Sequence, residues 1–210
     1  MRIPSHRLNA AAALALLALG SATACGEDKP STSADDPSSG ASPSAYDGPP
    51  CPERLPAGTD PGYGLGTREA ARSRPSLPPI DEAWVCEYQS VDVRSDDDSG
   101  ASFRWDRARQ AVPVPAAQLA GLGESLGGLA PPDDGERMCT ADLGPRWLLS
   151  YVHGDGLIGV VVDDYGCREV RLTDDPFETV PGESAGAGTV RGVLTAPAEL
   201  LVDLKAVAGQ

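Results

Sequence analysis

The chain has 210 residues, a formal net charge of −14 and five cysteines. Its length suits one domain with a single hydrophobic core. The acidic excess repels phosphate backbones and excludes a nucleic-acid-binding protein, because such proteins need a basic surface.

The first 24 residues have the pattern of an export signal. Two arginines and an apolar stretch over residues 8–20 precede the small residues 22–24, and Cys25 follows. This is the order of a signal peptide and its cleavage site. The apolar stretch is about 13 residues long and a membrane-spanning helix takes about 20, so we do not expect a retained transmembrane anchor.

Cys25 stands at the first position after the predicted cleavage site, where a bacterial lipoprotein carries its acyl chains. The other four cysteines can form two disulfides in an exported protein, which leaves Cys25 unpaired. The sequence therefore predicts a lipidated Cys25 that anchors the chain at the extracytoplasmic face of the cell membrane. Plain secretion with a free Cys25 thiol is the alternative, because residues 22–24 also fit an ordinary secretory cleavage site.

A segment rich in Ser, Pro and Asp follows the signal over residues 25–50. It contains one aromatic residue, Tyr46, and no aliphatic side chain larger than alanine. Such a segment cannot bury enough apolar surface to offset the entropy lost on ordering. We predict a disordered tether of about 25–30 Å root-mean-square span, followed by a single disulfide-bonded domain over residues 51–210.

The first part of this domain combines irregular chain with a hairpin and a helix. Residues 51–82 are rich in Pro and Gly and predict irregular structure, with a short helical turn at 68–74. β-branched and aromatic residues over 83–94 and 102–112 predict the two strands of a hairpin. Leucines at helical spacing predict a helix over 116–129.

The second part predicts a meander and a second helix. Its strands cover residues 146–153, 157–163 and 167–173, with a short strand at 189–194 and an amphipathic helix at 197–207. Together the elements predict an α+β fold, in which an antiparallel sheet of hairpins packs with two helices and two disulfides hold the domain.

The first turn of the meander decides which side chains share a face of the sheet. A three-residue turn centred on Asp155 puts Leu148, Ser150 and Val152 on the face that a helix would cover. The opposite face would then offer a partly aromatic binding surface, formed by Trp147, Leu149 and Tyr151.

The same register places Cys167 near residue 143, and therefore near Cys139. We expect the pairs Cys139–Cys167 and Cys51–Cys86, although the sequence leaves the other pairings open. Each bridge closes a loop of roughly 30 residues and adds about 3 kcal/mol of stability in the chain-entropy description.

Short motifs recur around the four cysteines of the domain. They are Cys51-Pro52, Val85-Cys86-Glu87-Tyr88, Cys139 with Asp142-Leu143-Gly144-Pro145, the strand 148–151, Asp155-Gly156 and Tyr165-Gly166-Cys167-Arg168-Glu169-Val170. This pattern resembles that of uncharacterised actinobacterial cell-envelope lipoproteins. The resemblance covers most of residues 51–173 and implies an envelope location and the disulfides, but no chemistry.

Two stretches fit the serine-hydrolase motif G-x-S-x-G, centred on Ser125 and Ser184. That motif needs a strand-to-helix turn and a histidine later in the chain. Ser125 falls within a predicted helix, and His153, the only histidine after the signal peptide, precedes Ser184. We predict that the protein is not an enzyme. An envelope serine hydrolase that uses Ser125 or Ser184 is the alternative.

The candidate metal ligands are His153, the aspartates 96–98, and the pair Asp163 and Asp164. One histidine cannot complete a transition-metal site, and the aspartates lack the spacing of a calcium-binding loop, so we expect neither metal nor cofactor. We expect core or sheet-face packing rather than a ligand groove for the three tryptophans, Trp84, Trp105 and Trp147.

An anchor, a spacer and a compact domain without a catalytic set predict a membrane-tethered interaction module of the cell envelope. Its partners would be the membrane, through the lipid on Cys25, and an envelope protein of unknown identity. A structural lipoprotein without a specific ligand is a further alternative.

Overall fold

The structure is a computed structural model that describes residues 46–58, 67–93, 103–133, 135, 138–140 and 143–209. The predicted signal peptide, Cys25, the tether up to residue 45 and the aspartates 96–98 lie outside the described residues. Among those described, no helix has both the length and the apolar character needed to span a bilayer.

Six antiparallel strands form one sheet: β1 (Ala83–Asp92), β2 (Phe103–Arg107), β3 (Val112–Pro113), β4 (Arg146–His153), β5 (Gly156–Asp163) and β6 (Val170–Thr173). The spatial order is β2, β1, β4, β5, β6. The short β3 pairs with residues 84–85 of β1. It lies on the same side of β1 as β2, because β4 pairs with the other side of β1 over residues 83–88. The second arm of the predicted hairpin is therefore one strand interrupted between β2 and β3.

Two helices cover one face of the sheet: α1 (Ala116–Gly127) and α2 (Ala198–Ala208). Each begins directly after a proline, whose fixed φ suits the start of a helix. The α+β fold predicted from the sequence is confirmed. α2 packs on β1, β3 and β4, and α1 packs on α2. Both helices contribute buried apolar side chains to the core on this face: Leu122, Leu126, Leu200, Leu201, Leu204 and Val207.

The β4–β5 hairpin closes with a two-residue turn, Gly154 and Asp155, so that His153 pairs with Gly156. Gly154 has a φ of 60°, the left-handed conformation that glycine adopts readily at the first central position of a tight hairpin turn. The predicted three-residue turn was therefore one residue too long, and the predicted strand register is wrong by one residue.

This shift changes which side chains share a face. The residues of β4 that were predicted to form an open binding surface lie under the two helices and are at most 4% exposed. The prediction of an open face is therefore wrong. In the observed register Trp147, Leu149 and Tyr151 lie opposite Val162, Val160 and Ile158.

The opposite face of the sheet is covered by the chain that precedes β1. The Cys51–Cys86 disulfide joins this chain to β1, with the two Cα atoms 6.6 Å apart. Tyr88 Oη also donates a hydrogen bond of 2.7 Å to the carbonyl oxygen of Pro52. The second bridge, Cys139–Cys167, has its Cα atoms 4.9 Å apart, so both predicted pairings are confirmed.

The end of the predicted tether contacts the domain. The ring centroids of Tyr46 and Trp84 lie 6.1 Å apart, and Tyr46 Oη donates to the carbonyl oxygen of Pro49 at 3.4 Å. The chain therefore meets the domain at Tyr46, before the predicted boundary at Cys51.

The edge of the sheet at β2 is covered by residues 53–55. Leu55 N–H donates to the Trp105 carbonyl at 3.0 Å, and Arg107 N–H donates to the Glu53 carbonyl at 2.8 Å. These bonds add a short segment beside β2, so the Trp105 carbonyl and the Arg107 N–H have partners on the outer side of that strand.

The edge at β6 is extended by two further short segments. Val170 and Leu194 exchange hydrogen bonds of 2.9 and 2.8 Å. Val193 N–H then donates to the Glu69 carbonyl at 2.8 Å, and Ala71 N–H donates to the Val193 carbonyl at 2.9 Å. The predicted strand at 189–194 is thus reduced to a few bridging residues that link β6 to the chain at residues 69–71.

Candidate functional site

The first G-x-S-x-G stretch lies inside α1. Ser125 is 9% exposed in the last part of this helix, so no strand-to-helix turn presents its hydroxyl. His153 lies at the exposed end of β4. Among the described residues no hydrogen bond joins Ser125 to His153, the contact on which activation of a serine by a histidine depends.

The second stretch forms a loop at residues 182–188. The buried Ser184 Oγ accepts a hydrogen bond of 3.1 Å from the Asp174 N–H and lies 3.2 Å from Thr189 Oγ1. These contacts fasten the loop to the chain that follows β6. The described residues give Ser184 no hydrogen bond to His153.

Two of the candidate metal ligands, Asp163 and Asp164, lie among basic partners. Asp163 contacts Arg146 and Arg171, and Asp164 accepts a hydrogen bond of 2.8 Å from Lys205 Nζ. No group of three His, Cys, Asp or Glu side chains in the described ranges is arranged to hold a metal ion.

The tryptophans pack in the core or on the sheet, as expected from their positions in strands, and the burial of Trp147 contradicts its alternative place on a binding surface. Trp105 is 1% exposed and Trp147 is 4% exposed. Trp84 is half-buried beside Tyr46. None of the three lines the groove described next.

A half-open groove of about 570 Å³ lies between residues 67–73 and 182–192. Such a volume is typical of ligand sites. The chain at 69–71 pairs with Val193 through a single bridge at Ala70, between bends at Glu69 and Arg72, so the helical turn predicted at 68–74 is wrong. Tertiary hydrogen bonding outweighs the helix propensity of this short stretch. The main polar and backbone contributors to the lining are Thr67, Glu69, Ala70, Arg72, Glu183 and Arg191.

Glycines with positive φ shape one wall of the groove. The φ angles are 86° at Gly182 and 101° at Gly192. A Cβ atom on Gly192 would lie 2.6 Å from the Ala71 nitrogen and 2.8 Å from the Glu69 carbonyl oxygen, so only glycine permits this approach of two backbones. Gly182 N–H also donates to the Leu172 carbonyl at 2.8 Å, which fixes the wall to β6.

Arg171 of β6 runs beneath the groove and is 4% exposed. Its Cγ and Cδ atoms lie 3.4 Å from the position that a Cβ of Gly182 would take. Each guanidinium nitrogen has a partner: Nε donates to the Thr67 carbonyl at 3.2 Å, Nη1 to Asp163 at 3.1 Å and Nη2 to Glu169 at 2.6 Å. The buried arginine therefore ties the Thr67 side of the groove to the sheet.

The groove carries charges of both signs. Arg72 and Glu69 lie on one side, and Arg191 and Glu183 on the other. Arg191 Nε donates to the carbonyl oxygen of Glu183 at 2.8 Å. In the described part of the chain neither Arg72 nor Arg191 forms an ion pair with a carboxylate, so both guanidinium groups are open to a ligand.

A second concavity, of about 520 Å³, is lined by Glu53, Arg54, Asp106 and Arg107. Two of its charges are already paired: Arg54 Nε lies 3.0 Å from one carboxylate oxygen of Asp106, whose other oxygen lies 3.0 Å from Arg104 Nε. Burial raises the pKa of the Asp106 carboxyl, but the hydrogen bonds from the two arginines outweigh burial and hold that pKa below its usual value. This concavity therefore has fewer charged groups available to bind a ligand than the groove has.

Sequence reasoning missed the groove because its two sides are far apart in the sequence and neither contains a regular element. The available signal was the series of glycines at 182, 186, 188 and 192, of which we matched Gly182 and Gly186 to a hydrolase motif. Glycines that need positive φ mark close backbone approach as readily as they mark a nucleophile turn.

Comparison with known proteins adds no relative to this description. No protein-family model, no curated protein and no solved structure matches the chain. The candidate site is therefore defined by the geometry of the groove.

Proposed function

We propose that this chain is a membrane-tethered binding protein of the cell envelope whose ligand site is the groove between residues 67–73 and 182–192. The observation that carries the proposal is a groove in a strongly acidic protein where, among the described residues, neither Arg72 nor Arg191 forms an ion pair with a carboxylate. The envelope location is supported by the signal pattern before Cys25, and two disulfides favour an oxidising compartment.

The groove is built to bind without rearrangement. Its walls are joined by backbone hydrogen bonds between Val193 and residues 69–71, and Arg171 holds Thr67 from below. A preformed site loses less conformational entropy when a ligand arrives, which favours affinity.

Binding rather than catalysis is the proposed role. The hydroxyl of Ser184 contacts Asp174 and Thr189, and Ser125 lies in a helix. A fluorophosphonate probe should therefore label neither serine in the purified protein. Covalent labelling of Ser125 or Ser184, found by peptide mass mapping and lost in the matching alanine variant, would contradict this part of the proposal.

The groove is tested by photo-crosslinking on intact cells. A photoreactive amino acid at Ala185, which is exposed and lines the groove, should form a defined adduct. The control places the same group at Val202, which is 64% exposed on α2 and outside the groove. Equal adducts at both positions, or none at Ala185, would contradict the groove as the ligand site.

The anchor is tested separately by the intact mass of the mature protein extracted from membranes. We expect a mass that exceeds the polypeptide from Cys25 onward by a diacylglyceryl group and an acyl chain. Cys25→Ser should release the protein from the membrane fraction. An unmodified Cys25 thiol on protein recovered from the medium would contradict the anchor. It would not bear on the groove, which the crosslinking experiment tests.

A further inference from the structure

Residues 69–71 form the outermost described backbone at one edge of the extended sheet. The Glu69 carbonyl and the Ala71 N–H both face Val193. Successive residues of an extended chain direct their N–H and C=O groups to opposite sides, so those of Ala70 face away from the sheet. Ala70 is exposed and lines the groove, and no described residue forms a hydrogen bond with its N–H or C=O.

The extended sheet has a second outer edge at Arg54, because the Glu53 carbonyl and the Leu55 N–H both face β2. The edge at Ala70 differs from it in bordering the groove with Arg72 and Arg191, whereas Arg54 is already paired with Asp106. An uncovered edge pairs readily with another extended chain. We infer that Ala70 receives an extended peptide of a partner protein, which adds to the sheet as a further strand. This inference rests on the function proposed above and names the ligand class of the same groove.

The charges of the groove fit a peptide better than other envelope molecules. A polyanion would meet the carboxylates of Glu69 and Glu183, and an acyl chain would leave charged groups facing hydrocarbon. A peptide supplies backbone groups for Ala70 and a carboxylate for Arg72 or Arg191, in a charge-assisted hydrogen bond. The ligand is therefore an extended segment with an Asp, a Glu or a C-terminal carboxylate beside the paired residue.

The probe is a random library of linear peptides displayed on phage and selected against the full mature chain in detergent, with both disulfides intact. Selected peptides are then synthesised, and their affinities are measured by fluorescence anisotropy. We expect acidic residues to be enriched at one position of the selected sequences, because no described carboxylate pairs with Arg72 or Arg191 in the groove.

Ala70→Pro tests strand addition directly. Proline removes the outward-facing N–H, and it is tolerated at an edge position whose N–H does not bond within the sheet. We expect binding at least about tenfold weaker, the loss of roughly one well-formed hydrogen bond. Ala70→Ser keeps the N–H and should bind as the wild-type protein does.

Arg72→Ala and Arg191→Ala test the carboxylate contact, and at least one of them should weaken binding by about tenfold or more. Unchanged affinity in both variants would contradict that contact. Arg74→Ala is the control, since Arg74 is exposed and does not line the groove. A third measurement uses the wild-type protein and peptides that are N-methylated at one backbone nitrogen each. Methylation of the residue that pairs with Ala70 should abolish binding of the peptide.

Two results would overturn the inference: a library that yields no binder, or peptides whose affinity is unchanged by Ala70→Pro and by N-methylation. The crosslinker at Ala185 separates this failure from failure of the proposed function. An adduct with a glycan or lipid would keep the groove as a binding site and overturn the peptide as its ligand. No adduct at Ala185 would overturn both.

Discussion

Arg146 and Asp163 form a buried ion pair between the paired ends of β4 and β5, with Nε and Oδ1 2.7 Å apart. The guanidinium of Arg146 lies 3.7 Å from the ring centroid of Trp105. The second oxygen of Asp163 accepts a hydrogen bond from Arg171, which in turn binds the Thr67 carbonyl. A continuous set of charges therefore connects the interior near Trp105 with the groove.

Asp163→Asn should lower the free energy of unfolding by about 3–5 kcal/mol, because it leaves two buried arginines without their shared carboxylate. Burial already lowers the pKa of the Arg146 guanidinium, and Asp163 opposes that effect. Urea denaturation monitored by tryptophan fluorescence measures the change.

The matched control is Asp164→Asn, one residue further along the chain. Its partner Lys205 has a side chain that is 50% exposed, and such pairs contribute about 1 kcal/mol or less. Equal losses of stability in the Asp163 and Asp164 variants would show that the buried network does not hold the sheet as described.

Tyr88 and Tyr151 give a second matched pair, since both side chains are fully buried. Tyr88 Oη donates to the Pro52 carbonyl, whereas Tyr151 Oη has no hydrogen-bond partner among the described residues. Tyr88→Phe should lower the free energy of unfolding by about 1–3 kcal/mol, because it leaves a buried carbonyl unsatisfied. Tyr151→Phe should be neutral or stabilising. Thermal denaturation decides between these outcomes, and a larger loss for Tyr151→Phe would contradict the assignment.

The same burial predicts loss of stability in alkali. Burial raises the pKa of Tyr88, Tyr151 and Tyr165 above the ordinary value of 10.0. Above pH 10 the unfolded chain releases tyrosine protons that the folded chain retains, so the free energy of unfolding falls as pH rises; below pH 10 these groups leave it unchanged. Urea denaturation on both sides of pH 10 tests this, and the variant with Tyr88→Phe and Tyr151→Phe together should show a shallower fall.

Local patterns predicted the elements of the fold well. Leucines at helical spacing marked α1 and α2, and runs of β-branched residues marked β4 and β5. The disulfide pairs also followed from the order of the strands. Each of these features depends on residues close in sequence or on a coarse alignment of neighbouring strands, which a one-residue error does not disturb.

Features that depend on one residue or on distant chain were not predictable. Gly154 and Gly156 flank Asp155 symmetrically, so the sequence does not show which glycine belongs to the turn. In the structure the turn contains Gly154 but not Gly156, and Trp147 and the other residues of its face lie in the core rather than on the surface. The groove brings residues 67–73 against 182–192 through the backbone of Val193, and no side-chain pattern encodes such a contact.

The two disulfides should differ in their resistance to reduction. Cys51 and Cys86 are at most 1% exposed, whereas Cys139 is exposed and Cys167 half-buried. Access of the attacking thiolate controls the rate of exchange, so a mild reductant should open Cys139–Cys167 first. Timed alkylation followed by peptide mass mapping gives the order, and earlier labelling of Cys51 or Cys86 would contradict the burial of that bridge.

Two glycine-to-alanine substitutions should have opposite effects on stability. Gly121 lies exposed within α1, and an added Cβ would meet no atom within 4 Å. Gly121→Ala should therefore raise the free energy of unfolding by about 0.5–1 kcal/mol, because alanine loses less backbone entropy in a helix.

Gly192→Ala should lower the free energy of unfolding by about 1–3 kcal/mol, because alanine is strained at a φ of 101° and its Cβ would collide with the backbone of Ala71. Urea denaturation of both variants gives the comparison. A neutral Gly192→Ala would mean that the chain at residues 69–71 does not lie against Val193, and the groove and its open edge at Ala70 would then lose their geometric basis.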